Sequence, residues 1–119
     1  MVKTPIPFLL HIRDSIESIT TYIGDMTFDQ FKVDYKTQDA VIRQLEIIGE
    51  AASKLENNTK TDYPEIPWRE ITDFRNVLAH EYWDIDLEIV WKAATLEIKE
   101  LKQALIPIIE KLEIESESQ

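Results

Sequence analysis

Apolar residues recur at three- and four-residue intervals over most of the chain, and no stretch alternates apolar with polar as a half-buried strand would. The pattern predicts helices throughout. Leu9, Ile12, Ile16, Ile19 and Ile23 form one stripe of a first helix from about Pro7 to Ile23, with Gly24 placed to end it. Thr27 followed by Gln30 fits a capping box for a short helix around Phe28 to Phe31. A second long helix is expected from just after Thr37 to about Leu55, with Val41, Leu45, Ile48, Ala52 and Leu55 as its seam. Ala40, Ile47 and Ala51 add a second apolar stripe, so this helix must be covered on more than one side, by its own chain or by another subunit.

Asn57 to Ile66 is polar, contains Pro64 and reads as a loop. Pro67 suits the first turn of a helix from Trp68 to about Ala79. From about Asp86 to Leu112 the apolar residues keep helical spacing, but Pro107 predicts a kink or an early end near Ile106. The acidic tail, Glu113 to Gln119, reads as frayed. With neither repeat nor linker, residues 1–119 read as one all-α domain, most simply a four-helix bundle with one additional short helix.

Composition narrows the chemistry. The chain has no cysteine and two histidines, His11 and His80, which excludes disulfides and thiolate metal sites. His11 falls on the polar side of the first helix and reads as surface, whereas Trp68 and Trp91 read as core. The lack of a signal-like N-terminus and of any membrane-length apolar run leads to an expectation of a soluble, cytoplasmic protein. The net charge of −10 argues against broad phosphate binding, yet leaves room for a short, locally positive site.

Such a site is offered by Asp73-Phe74-Arg75-Asn76-Val77-Leu78-Ala79-His80-Glu81-Tyr82-Trp83-Asp84. Arginine presents a permanent cation and a planar fork of donors to phosphate oxygens, and histidine exchanges protons near neutral pH. Together they can cleave RNA without metal: a base deprotonates the 2′-hydroxyl, the alkoxide attacks the adjacent phosphorus, and the cation stabilises the phosphate oxygens. Asn76 precedes His80 by one helical turn and can fix its tautomer. Arg75 lies about 140° around an ideal helix from His80, so the pair is expected at a helix end. A single histidine cannot easily serve both the attacking and the leaving oxygen, which points to a two-fold dimer with a composite site.

An arginine, an asparagine, three residues and a histidine, here Arg75-Asn76-x-x-x-His80, resembles the signature of the HEPN ribonucleases, and Tyr82 beyond it resembles the extended version in the HepT toxins. The likeness also takes in Tyr22 to Phe28, Asp39 to Ala52 and Pro64 to Ile71. It implies a HEPN-type up-and-down bundle and a homodimeric, metal-independent endoribonuclease with Arg75, Asn76 and His80 at its site and no cofactor. It further implies the toxin of a type VII toxin–antitoxin pair, with an MntA-type nucleotidyltransferase antitoxin that transfers AMP from ATP to Tyr82. AMP there would add charge and bulk where RNA binds.

Plainer readings stand beside these. Tyr82 can simply pack against Trp83. The charged stripe Asp39, Arg43, Glu46 and Glu50 is either a solvated helix face or a wall of the cleft, with Arg43 holding phosphate and Glu46 or Glu50 orienting Arg75. The competing function is a non-catalytic helical dimer that binds a nucleotide or a partner protein.

Overall fold

The computed structural model describes residues 4–80 and 84–118. Among them there are only helices: α1 (Ile6–Ile23), α2 (Phe28–Val33), α3 (Tyr35–Ser53), α4 (Asn57–Asp62), α5 (Trp68–His80), α6 (Leu87–Lys92) and α7 (Ile98–Glu117), with a π-helical turn, Ala93–Glu97, joining the last two. The long elements form a bundle in which α1 packs on α3 and α7, and α3 packs in turn on α5. Between α5 and α7 there is at most marginal contact among the described residues. The bundle is therefore open along one seam.

The α1 stripe is the centre of the core: Leu9, Ile12, Ile16 and Ile19 are all but inaccessible to solvent, and each such side chain contributes about 1.5–3 kcal/mol on burial. Gly24 ends the helix at φ +51°, a conformation that side chains disfavour; its N–H donates to Thr20 O at 3.0 Å. The capping box forms as expected, with Gln30 N donating to Thr27 Oγ1 and Thr27 N to Gln30 Oε1. Phe28 and Phe31 then stack at a tilt on Trp91, which fastens α2 over the bundle.

The structure departs from the periodicity in four places. α3 begins two residues before Thr37, because Asp34 caps it, accepting from Thr37 N at 3.0 Å and from the Thr37 hydroxyl at 2.8 Å. Part of the expected loop is helical, α4, although only Thr59 within it is buried. The π turn widens the helix at Ala93–Glu97. Finally, α7 passes through Pro107 without ending near Ile106 and continues into the acidic tail as far as Glu117. Gln103, whose carbonyl loses its usual donor to the proline, is exposed, as is Pro107, so water can satisfy that acceptor.

The second stripe of α3 is only partly covered by the described residues of its own chain. Ala51 is buried, while Ala40 and Ile47 remain half-buried. His11 is exposed, Trp68 is buried with its Nε1–H donating to Tyr63 O at 3.0 Å, and Trp91 is half-buried. No helix of the described residues is long and apolar enough to cross a membrane.

Candidate active site on the outer helix

α5 carries the candidate residues, and its amphipathicity explains their placement. Trp68 and Leu78 are buried, with Ile71 and Phe74 packed against the core; the opposite side is free to carry polar groups. Arg75 lies on the side that meets α3. There Gly49 of α3 comes so close that a Cβ on it would stand 2.2 Å from Arg75 Cβ and 2.7 Å from its Cγ. Only a residue without a side chain lets the two helices approach in this way. The arginine stem is held in this crossing, and its Nε is buried without a hydrogen-bond partner.

Asn76, Val77 and His80 are exposed, and His80 is the last residue of α5. Asn76 and His80 are about 40° apart on an ideal helix, consistent with their shared exposed face. Arg75 and His80 do not converge within one chain: the first is directed to α3 and the second to solvent, as the angular separation predicts. Among the described residues no hydrogen bond joins Arg75, Asn76 and His80, and neither of the two depressions that border the first half of α5 includes any of them. Tyr82 lies outside the described residues.

The α3 stripe has a partner arrangement of its own. Arg43 Nη1 stands 3.5 Å from Glu46 Oε2 and 3.4 Å from Glu50 Oε1. The two glutamates thus engage Arg43 rather than Arg75. Asp39 is exposed. Sequence reasoning overlooked Gly49, although a glycine inside a helical pattern costs about 1 kcal/mol against alanine and is itself a signal of close approach.

The family described as Ribonuclease HepT-like matches residues 12–108. The chain belongs to this HepT-like ribonuclease family. It is 43% identical over 95 residues to "Probable ribonuclease HepT" of Thermococcus cleftensis, covering 80% of this chain and 86% of that one. It is 38% identical over 111 residues to a "Putative RNase" of Methanocaldococcus jannaschii, covering 93% and 92%. A further M. jannaschii relative, "Gamma-glutamylcyclotransferase and putative RNase", is 40% identical over 106 residues; the match takes in 89% of this chain but only 48% of that longer protein. No solved structure matches the chain.

Proposed function

We propose that this HepT-like chain is a metal-independent endoribonuclease whose site is completed by a second copy of itself. The observation that carries the reading is the exposed end of α5, where Asn76, Val77 and His80 stand on open surface beside the crossing that holds Arg75. Val77, an apolar residue in the middle of the motif, is 43% exposed. Burying it against its two-fold mate brings two copies of Arg75 and His80 to one axis.

Each group then has a task. One His80 takes the proton of the ribose 2′-hydroxyl as the O2′–P bond forms, the arginines stabilise the charge on the phosphate oxygens, and the P–O5′ bond breaks. The other His80 returns a proton to the departing O5′. The products are a 2′,3′-cyclic phosphate and a 5′-hydroxyl. In this reading Arg43 borders the cleft, where an incoming phosphate competes with Glu46 and Glu50 for its guanidinium. The wider biological role is the toxin of a type VII toxin–antitoxin pair, with the Tyr82 hydroxyl attacking the α-phosphate of ATP in the active site of a nucleotidyltransferase antitoxin and releasing pyrophosphate. AMP on Tyr82 then obstructs RNA.

The test incubates purified, mass-checked protein with RNA in excess EDTA beside His80→Ala and Arg75→Ala. Cleavage by the parent alone, leaving cyclic phosphate ends, is the expected result. Activity abolished by EDTA, or retained in His80→Ala, contradicts the mechanism. Incubation with an MntA-type enzyme and ATP should add the mass of AMP to the parent and not to Tyr82→Phe.

A further inference from the structure

The open seam of the bundle is a groove of about 440 Å³, with α3 as its floor, the first half of α5 as one wall and the α6–π–α7 segment as the other. Its composition is sharply divided. Apart from Glu65, Glu70, Glu97 and Glu100, every described residue that lines it is apolar, Ile71, Phe74, Ile89 and Leu101 among them. There is no basic side chain and no uncharged polar one among them. None of the four glutamates takes part in an ion pair among the described residues. Ile89 is 53% exposed even though it faces this groove.

We propose that the groove is a docking site for a cationic amphipathic helix of a partner protein. An apolar trough between two helices accepts the apolar stripe of a third helix, and specificity then comes from what flanks it. Here the flanks are four carboxylates, Glu65 and Glu70 just before and within α5 and Glu97 and Glu100 on the opposite wall, so the complementary helix carries lysine or arginine on either side of its apolar stripe. A second copy of this chain does not fit. An isologous contact would bring the same four glutamates toward their own counterparts, and like charges facing one another at an interface are unfavourable.

The π turn contributes to this surface. In an α-helix residues four apart drift by about 40° around the axis, and the wider π turn counteracts that drift. Ile89, Ala93 and Glu97, spaced by four, accordingly all line the groove. The site lies along the first half of α5 and is separate from Arg75 and His80 at its second half, so the inference does not depend on the proposed RNA chemistry.

The experiment titrates the full chain into a fluorescently labelled synthetic leucine–lysine peptide designed as an amphipathic helix, and follows anisotropy. Two variants with equal change in net charge are compared: Glu97→Lys/Glu100→Lys in the groove, and Glu113→Lys/Glu115→Lys on the exposed end of α7. The proposal expects saturable binding that weakens at least about tenfold in the groove variant and less than about twofold in the other. It expects Ile89→Ser to weaken binding with net charge unchanged, and a peptide of the same composition without an apolar stripe not to saturate. Equal loss in the two charge variants would show only attraction to an acidic protein and overturn the proposal. Sedimentation of the same variants supplies the other arm: an oligomer dissociated by Ile89→Ser would put a second copy in the groove and overturn it too.

Discussion

α1 and α5 are both amphipathic helices of one small bundle, yet they are held in different ways. α1 buries Leu9, Ile12, Ile16 and Ile19 almost completely between α3 and α7. α5 buries only Trp68 and Leu78 to that degree and rests on α3 with its other side open. The inner helix specifies the fold by filling space. The outer one leaves surface free: its second half exposes Asn76, Val77 and His80, and its first half forms one wall of the apolar groove. Close-packed helices have little tolerance for change, whereas a helix anchored on one side leaves a surface for substrates and partners.

Substitutions can sharpen or break this contrast. The largest effect is expected for activity on the outer helix: His80→Ala should lower the RNA cleavage rate by about 10²–10⁴-fold, measured under single-turnover conditions, while urea denaturation shows a stability change within about 0.5 kcal/mol. In the core the pattern reverses. Ile12→Ala should cost about 2–5 kcal/mol by the same denaturation experiment, because it leaves a cavity among buried neighbours.

Gly49→Ala tests the crossing between the two classes of helix. The added Cβ meets Arg75 Cβ and the Ile71 carbonyl, so α5 must shift as a body; a loss of about 1–3 kcal/mol is expected. Cleavage should fall further than stability explains, because the shift moves Arg75 itself. If Gly49→Ala left both unchanged, α5 would not be positioned by this contact.

The smallest effect concerns the entrance to α3. The backbone N–H of Thr37 and then its hydroxyl hold the Asp34 carboxyl below its ordinary value against the opposing effect of burial, with a lesser lowering by the nearby Lys36. A carboxylate with a lowered folded-state pKa adds stability that is present above the ordinary aspartate range and is lost as pH falls through the folded value. The stability difference between the parent and Asp34→Ala should therefore be larger at neutral pH than in acid. Urea midpoints at several pH values measure it.

The same contrast explains what could be read before the structure was known. Stripes that bury a continuous face, such as Leu9 to Ile23 or Val41 to Leu55, announce themselves by spacing. Where burial does not select residues the signal fails: Tyr35 and Lys36 are exposed, so the start of α3 carried no periodicity, and α4 has only Thr59 to bury. Pro107 does not end α7, because its helix-breaking cost is relieved on an exposed face. A single π turn also cannot be distinguished from α spacing over five residues. For the candidate site, residue types and their spacing single out Arg75, Asn76 and His80 for testing, and helix geometry anticipates the divergence of Arg75 and His80 that the structure shows. The closeness of Gly49 and the engagement of Glu46 and Glu50 by Arg43 are tertiary facts that no local spacing records.

The central claim is that Arg75 and His80 act across a two-fold interface, and subunit mixing tests it most directly. Parent chains are denatured and refolded together with about a tenfold excess of His80→Ala chains, so that nearly every parent copy is paired with an inactive one. RNA cleavage per parent chain in EDTA is then compared with parent refolded alone. The account predicts a fall approaching about tenfold, the limit set by the few parent chains that still pair with each other, because every mixed site holds one histidine where two are needed. Cleavage per parent chain that is unchanged by the excess would show that a single chain suffices and would contradict it.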